Sequence, residues 1–285
     1  MVDFAVGGLK ALRARARERT VVLAERMPLL HGRLADVVRV LVERNLRVRY
    51  RGSALGILWS ALNPLLMAVV YAAIFGRTFA AYYGGSLVAY GAAVYIGLSL
   101  VGFFIGATTQ SVPSIVQNGG LLNKIQIPSE AFPLSVLLAY GFQQLVATVP
   151  ILAVVSIAVN HDPVHLVLLV IPLTALALFT TGVALVVSGA HVFFRDVSYL
   201  YELATFVLWV TSPVFYPAAI VPERLAHFLI LNPLYPILES ARELVLATSL
   251  PSPALLGLAT LEALVTLGLG IAAFRAMRSH FMDRL

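Results

Sequence analysis

The stretch Leu55–Phe75, LGILWSALNPLLMAVVYAAIF, decides the fold class of this chain. It holds no charged residue over 21 positions, and about 20 apolar residues are enough for a helix to cross the hydrocarbon core of a bilayer. Backbone polar groups in lipid must be hydrogen-bonded within the segment itself, which favours a helix. The stretch therefore predicts a first transmembrane helix.

Comparable apolar stretches recur along the rest of the 285-residue chain. Hydrophobic residues make up 60% of the chain and charged residues only 12%, which is too little charge to cover the surface of a water-soluble domain. Five further spans are predicted at residues 87–109, 132–159, 164–190, 203–220 and 254–274. Residues 55–275 thus form a six-span domain, and the fold class is an all-α polytopic membrane protein.

The distribution of charge predicts the orientation of these spans. Residues 1–54 carry a net charge of +7, whereas the rest of the chain sums to −1. With the N-terminus inside, 17 Lys and Arg residues lie on the inner side and three, Arg77, Arg224 and Arg242, on the outer side. Because positive residues are retained in the cytoplasm, both termini, including the C-terminal tail 276–285, are expected there.

The segment before the first span divides into a basic tail, residues 1–32, and a predicted amphipathic helix, residues 33–54. Apolar residues recur in the second part at helical spacing: Leu34, Val37, Val38, Leu41 and Val48. Charged residues occupy the opposite face, as in a helix lying in the membrane interface. Such a helix either anchors the chain or also packs on a partner or a gate.

A proline-rich segment separates the last two predicted spans. It begins with Ser212–Pro217, SPVFYP, and continues through Pro222, Pro233 and Pro236. Proline removes backbone donors and breaks helices, so we expect short half-helices here. Irregular backbone at membrane depth is tolerated only inside protein or beside a wet cavity, which indicates a re-entrant segment on the outer side.

The sequence offers little enzyme chemistry. It contains no phosphate-binding loop of the form G-x-x-x-x-G-K-[ST], no H-E-x-x-H motif and no cysteine. His161 and His165 are expected in a solvated turn rather than at a metal. Glu262 is expected to form a hydrogen bond with a neighbouring helix, or else to act as a proton relay or a substrate contact. We therefore predict no catalytic residue, metal or cofactor in this chain, and no nucleic-acid partner.

Three motifs carry a resemblance to a known family. The run Arg47–Leu65, RVRYRGSALGILWSALNPL, resembles the entry to the first span of type-2 ABC exporter permeases, in the subfamily that exports O-antigen and teichoic acid chains. Gln117–Pro128, QNGGLLNKIQIP, resembles the first cytoplasmic loop of that family, and Ser212–Pro217 its outer re-entrant region. The resemblance covers roughly residues 35–275.

The resemblance implies a homodimer that works with two copies of a separate ABC ATPase subunit, on which ATP and Mg²⁺ would bind. A short coupling helix in the first cytoplasmic loop would dock into that ATPase. The residues expected to form the contact are Asn118, Leu121, Leu122, Lys124, Ile125 and Pro128. Lys124 would meet an acidic groove of the ATPase, or would only mark the inner side of the membrane.

A conduit for a sugar polymer should combine aromatic platforms with small polar groups. The candidates are Trp59, Tyr71, Phe75, Phe206, Trp209, Phe215 and Tyr216. Aromatic residues also form belts at membrane interfaces, which is the alternative for each of them. Phe206 and Trp209 fit a belt least, because they lie in the middle of a predicted span.

Arg47, Arg49 and Arg51 would lie at the cytoplasmic leaflet, where they could meet the pyrophosphate of a lipid-linked substrate. Arginine suits this task because its guanidinium binds phosphate in a bidentate manner. Binding to ordinary anionic membrane lipids is the competing interpretation.

Together these features predict a bacterial inner-membrane permease of an ABC exporter for a polyprenyl-pyrophosphate-linked polysaccharide of the O-antigen, galactan or teichoic acid type. An exporter of a drug or lipid with the same architecture is one alternative. A membrane enzyme acting on lipid-linked sugars is another; paired acidic or histidine residues at a membrane face would support it, and none is predicted there.

Overall fold

The structure is a computed structural model that describes residues 34–122, 124, 127–222, 224, 229, 232–281 and 284. The predicted basic tail 1–32 lies outside the described residues. Within the described part the chain is helical and has no β-strand.

Twelve α-helices of the described chain are numbered here in order. The first six are α1 (Leu34–Tyr50), α2 (Trp59–Phe79), α3 (Leu87–Ser111), α4 (Ser114–Gln117), α5 (Gly119–Leu122) and α6 (Ala131–Gln143). The other six are α7 (Val149–Asn160), α8 (Pro163–Leu168), α9 (Val170–Phe193), α10 (Val197–Thr211), α11 (Leu234–Leu246) and α12 (Pro253–Arg278). Short 3-10 turns flank α2, and a π-helical turn, Gln144–Thr148, joins α6 to α7.

Five helical stretches are long and apolar enough to cross a membrane: Gly56–Tyr83, Leu87–Ser111, Ala131–Asn160, Pro163–Phe193 and Pro253–Arg278. They correspond to the first four predicted spans and to the sixth. The described chain is therefore a multi-pass helical membrane protein.

The fifth predicted span, residues 203–220, is wrong in its bounds. The helix there is α10, which begins at Val197 and ends at Thr211. At 1.5 Å per residue its 15 residues reach about 22 Å, which is less than the ~30 Å of a hydrocarbon core. The apolar run does continue beyond Thr211, but Pro213 and Pro217 end the helix, so apolar composition alone overstated its extent.

The core is centred on α3, which packs against α2, α6, α9 and α11. Large side chains of α3 are fully buried, among them Tyr90, Ile96, Leu100 and Phe104. In contrast, α2 leaves much of its apolar surface uncovered, so this helix offers its outer face to lipid or to another protein chain.

Helices α9 and α12 approach each other closely at two glycines. A Cβ atom on Gly182 would lie 2.5 Å from the carbonyl oxygen of Thr266, and one on Gly270 would lie 2.4 Å from that of Gly182. Small residues of this kind allow transmembrane helix backbones to come into contact. Gly189, two turns further along α9, faces Phe274 and Met277, so the two helices run parallel.

At one end of the bundle, α1 packs across the spans. Its Val37, Val38 and Leu41 are buried in a second apolar cluster that also contains Phe132 and Phe274. Leu34 and Val48, which were expected on the same apolar face, are exposed. The apolar contacts of this helix with its own bundle thus lie in its N-terminal half, and we refer to this end of the molecule as the α1 end.

Candidate functional site

The predicted coupling loop lies at the α1 end, directly beside α1. Asn118, between α4 and α5, accepts a 3.0 Å hydrogen bond from Nη1 of Arg44 and donates one of 2.7 Å to the carbonyl oxygen of Ser114. Burial lowers the pKa of Arg44, which still remains charged near neutral pH. The Arg44–Asn118 contact joins the loop to the amphipathic helix, and the sequence analysis missed Arg44.

Of the other residues predicted for this loop, some pack against the bundle and some are exposed. Leu121 and Leu122 of α5 pack against the apolar cluster that holds α1, and Lys124 is exposed. Pro128 follows at the start of the turn into α6, whereas Ile125 lies outside the described residues. The loop therefore presents an exposed cation while its leucines attach it to the bundle.

Among the three arginines predicted for a lipid pyrophosphate, Arg49 contacts the bundle. Its guanidinium donates hydrogen bonds to the side-chain oxygens of Gln143 at 3.1 Å and Gln110 at 2.8 Å, and to the hydroxyl of Tyr140. It also lies 3.9 Å from the centre of the Tyr140 ring, which is a cation–π contact. These contacts fasten the C-terminal end of α1 to α3 and α6.

Arg47 and Arg51 do not share this arrangement. Arg47 pairs with Glu43 one turn earlier on α1, and its side chain is largely exposed. Arg51 is exposed in the turn that follows α1. The structure thus separates the three arginines, with one of them tied to the bundle and two facing outward.

A cavity of about 580 Å³ opens next to Arg49, between the end of α1 and helices α2, α3, α6 and α10. It is lined by Trp59 and Trp209, which are the two tryptophans of the chain, and we call it the tryptophan cavity. Polar side chains that line it include Tyr50, Ser60, Asn63, Ser99, Gln143 and Gln144. Burial raises the pKa of Tyr50, opposed by the nearby charge of Arg49, so this phenol is neutral near pH 7.

Five of the aromatic residues predicted for the conduit come together further from the α1 end. Phe215 is the centre of this aromatic cluster, with ring centroids 5.3 Å from Tyr71, 6.1 Å from Phe75, 5.8 Å from Trp209 and 5.3 Å from Tyr216. The chain around Phe215 is held in place because its carbonyl oxygen accepts a 2.8 Å hydrogen bond from the hydroxyl of Tyr90. Trp209 belongs to both the cluster and the cavity, so the two are continuous.

Two of the predicted aromatic residues lie apart from this cluster. Trp59 lines the tryptophan cavity nearer the α1 end. Phe206 is 62% exposed. The buried face of α10 is formed by Tyr201 and Thr205, and Phe206 follows Thr205 directly, so its side chain points away from that face. The described chain therefore does not bring Phe206 to the other aromatic residues.

The segment that follows α10 folds back into the bundle and contacts the residues just before α11. Asn232, before α11, donates a 2.9 Å hydrogen bond to the hydroxyl of Ser212, after α10. Arg242 of α11, which the sequence analysis counted as an outer charge, is 4% exposed and lies inside the bundle. Oε2 of Glu239, three residues earlier on the same helix, lies 3.6 Å from Nη1 of Arg242. An acidic residue at this spacing was the feature of the sequence that could have indicated a partly buried ion pair.

Across the part of the chain that the structure describes, no group of three or more His, Asp and Glu side chains is arranged to hold a metal ion. His165, from the predicted outer turn, is buried.

Comparison with known proteins decides the family. A sequence model of the ABC-2 type transporter family matches residues 36–246 of the chain. The chain belongs to the ABC-2 type transporter family. The resemblance found in the three sequence motifs is thereby confirmed.

Relatives of this ABC-2 permease share most of its length. It is 27% identical over 256 residues to the O-antigen export system permease protein RfbA of Klebsiella pneumoniae, which covers 89% of this chain and 96% of that protein. It is 25% identical over 248 residues to the O-antigen export system permease protein RfbA of Myxococcus xanthus, and this alignment covers 86% of this chain and 94% of that protein. The polysialic acid transport protein KpsM of Escherichia coli is 23% identical over 251 residues, covering 84% and 94%. The ABC-2 permease is thus similar to polysaccharide export permeases along nearly their whole length.

Proposed function

We propose that this ABC-2 permease is the membrane subunit of an ATP-driven exporter that moves a polyprenyl-pyrophosphate-linked polysaccharide across the bacterial inner membrane. The observation that carries this proposal is the aromatic cluster, which continues into a cavity lined by both tryptophans. Aromatic rings offer apolar faces to the C–H groups of sugars without binding them tightly in one register. Similarity to O-antigen and polysialic acid export permeases supports the same substrate class.

The permease would obtain its energy from a separate subunit. Its sequence has no phosphate-binding loop, so ATP and Mg²⁺ would bind to two copies of an ABC ATPase. The loop around Asn118 and Lys124 would receive the movement of that ATPase as a rigid-body shift. Its connection to α1 through Arg44, and the packing of Leu121 and Leu122, support a loop that moves together with the bundle.

The same features support an orientation and an assembly. The α1 end would face the cytoplasm, since α1 belongs to the most basic part of the sequence. A homodimer is supported by α2, whose Leu66, Val69 and Val70 are exposed apolar residues available to a second copy. Phe206, which is exposed on the single chain, would belong to the conduit only if a second copy completes it on that face of α10.

The proposal is tested by co-purifying the full-length permease with the ABC ATPase encoded beside its gene. ATP hydrolysis by the complex is then measured with and without lipid-linked glycan, followed by glycan uptake into inverted vesicles. We expect a stable complex, stimulated hydrolysis and ATP-dependent uptake. A complex that forms but transports a lipid or a drug instead of the glycan would contradict the substrate class, and the absence of any ATPase partner would contradict the exporter.

A further inference from the structure

The tryptophan cavity contains buried polar side chains with unused hydrogen-bonding groups. Ser99 is 5% exposed and Gln143 is 6% exposed, and both line the cavity. Oγ of Ser99 and the side-chain Nε2 atoms of Gln143 and Gln144 have no hydrogen-bond partner among the described residues. Since leaving a buried polar group unpaired is destabilising, these three groups together indicate a ligand that supplies their partners.

The backbone is irregular at the point where these groups meet. Helix α6 ends at Gln143, and the π-helical turn Gln144–Thr148 begins at the next residue. Such a turn inserts an extra residue into a helix and frequently occurs at functional sites. Here it brings two consecutive glutamines to the same cavity, although neighbouring residues of a regular α-helix point about 100° apart.

The charge of the cavity restricts the chemistry of its ligand. No acidic residue is among the described residues that line it. Its one cation, Arg49, already donates to Gln143, Gln110 and Tyr140 at the mouth. The remaining surface consists of amide and hydroxyl groups together with the rings of Trp59 and Trp209.

We propose that the tryptophan cavity is a binding site for a neutral saccharide unit, in which Ser99, Gln143 and Gln144 hydrogen-bond to sugar hydroxyls. Amides and hydroxyls can both donate and accept, as sugar hydroxyls do, and the rings of Trp59 and Trp209 pack against sugar C–H faces. A volume of about 580 Å³ is within the range of sites that enclose small ligands. The inference rests on the proposed export function and assigns the substrate contacts to α3 and to the π-helical turn, beyond the aromatic residues.

Intrinsic fluorescence provides a direct binding assay, because both tryptophans of the chain line this cavity. Full-length permease in phosphatidylcholine nanodiscs is titrated with lipid-free oligosaccharide released by mild acid from the envelope polysaccharide of the producing strain. We expect a saturable change in tryptophan emission. An equal titration with inorganic pyrophosphate is expected to leave the emission unchanged, and saturable binding of pyrophosphate that competes with the oligosaccharide would overturn the assignment to a neutral sugar.

Two variants test the polar residues separately. Gln144→Leu and Ser99→Ala should each weaken oligosaccharide binding roughly tenfold, as expected for a lost hydrogen bond. Ser188→Ala is the matched control, since Ser188 is also fully buried but donates to the carbonyl oxygen of Leu185 on α9, away from the cavity. Gln144 accepts a 3.3 Å hydrogen bond from Thr148, so Ser99→Ala keeps the test valid if Gln144→Leu fails to fold. Wild-type affinity in both variants would overturn the proposal.

The same variants separate this inference from the proposed function. If the wild-type complex exports glycan but both variants bind the oligosaccharide with wild-type affinity and export glycan at the wild-type rate, the saccharide site is wrong and the exporter stands. If the permease binds the oligosaccharide but its ATPase complex exports no glycan, the proposed function is wrong and the saccharide site stands.

Discussion

Nη2 of Arg242 on α11 donates a 2.7 Å hydrogen bond to the carbonyl oxygen of Val214, 28 residues earlier in the chain. Val214 belongs to the proline-rich segment in which backbone groups lack helical partners. Nε of the same guanidinium approaches the carbonyl oxygen of Ala93 on α3 at 3.3 Å. One buried cation therefore ties the interrupted segment to both α11 and the core helix, and satisfies carbonyl groups that lipid could not.

We expect Arg242→Met to destabilise the protein by about 2 kcal/mol, because two buried carbonyl oxygens lose a charged donor and Glu239 loses its counter-charge. For a chain of this size the loss corresponds to a decrease of roughly 4–8 °C in Tm, measured on the purified permease in detergent. Arg195→Met is the control, since Arg195 is exposed between α9 and α10. Equal Tm values for the two variants would show that Arg242 does not hold the segment.

The attachment of α1 predicts a local rather than a global effect for Arg49→Gln. This substitution removes the charged donor to Gln110, Gln143 and Tyr140, so the C-terminal end of α1 should open more often. A loss of 1–2 kcal/mol in local stability corresponds to a roughly 5–30-fold faster tryptic cleavage after Arg47. Arg51→Gln should leave that rate unchanged, because Arg51 is exposed beyond the helix, and equal acceleration in both variants would contradict the assignment.

The contact between Arg44 and Asn118 predicts energetic coupling between α1 and the coupling loop. In a double-mutant cycle of Arg44→Ala and Asn118→Ala, we expect a coupling energy of about 1 kcal/mol, since a hydrogen bond to a charged group is lost in either single variant. The cycle is measured on the free energy of unfolding and, in parallel, on ATP hydrolysis of the complex. Arg39→Ala, exposed on the same helix, combined with Asn118→Ala should give additive effects.

Five of the six spans could be predicted from the sequence, because an apolar run of 20 or more residues with at most one charge has few other stable environments. The fifth could not be bounded in the same way, since composition continues through Pro213 while the helix ends at Thr211. Tyr71, Phe75 and Phe215, chosen as aromatic residues of the first and fifth predicted spans, lie together in the structure, whereas Phe206 from the same set does not join them.

The contacts between distant parts of the chain were beyond such reasoning. Asn118 and Arg44 are 74 positions apart, and nothing in either local sequence specifies the other. Gln143 and Gln144 are neighbours that would point about 100° apart on a regular α-helix, and only the π-helical turn after α6 brings both to one cavity. The count of positive charges assigned Arg242 only to a side of the membrane, and its burial in the bundle depends on Ala93 and Val214, which are distant in the sequence.

The close approach of α9 and α12 predicts opposite outcomes for two glycines of the same helix. Gly270→Ala would place a methyl group 2.4 Å from the carbonyl oxygen of Gly182, so the helices must separate, at a cost of about 1–3 kcal/mol. Gly268→Ala meets no atom within 4 Å and should be neutral or stabilising by up to about 1 kcal/mol, because alanine favours the helix. Thermal unfolding of both variants in detergent decides the matter, and similar losses in both would show that the helices are not in contact here.

Two aromatic residues on α10 distinguish a conduit within one chain from a conduit between two copies. Trp209 contacts Phe215 and lines the tryptophan cavity, whereas Phe206, three residues earlier, is exposed. If the aromatic cluster guides the polymer, Trp209→Ala should slow glycan export by about tenfold in inverted vesicles, and Trp209→Phe should retain most of the rate because a ring remains. Phe206→Ala should then have little effect on export. A loss in Phe206→Ala as large as that in Trp209→Ala would instead assign the conduit to the exposed face of α10, where a second copy of the chain would have to complete it.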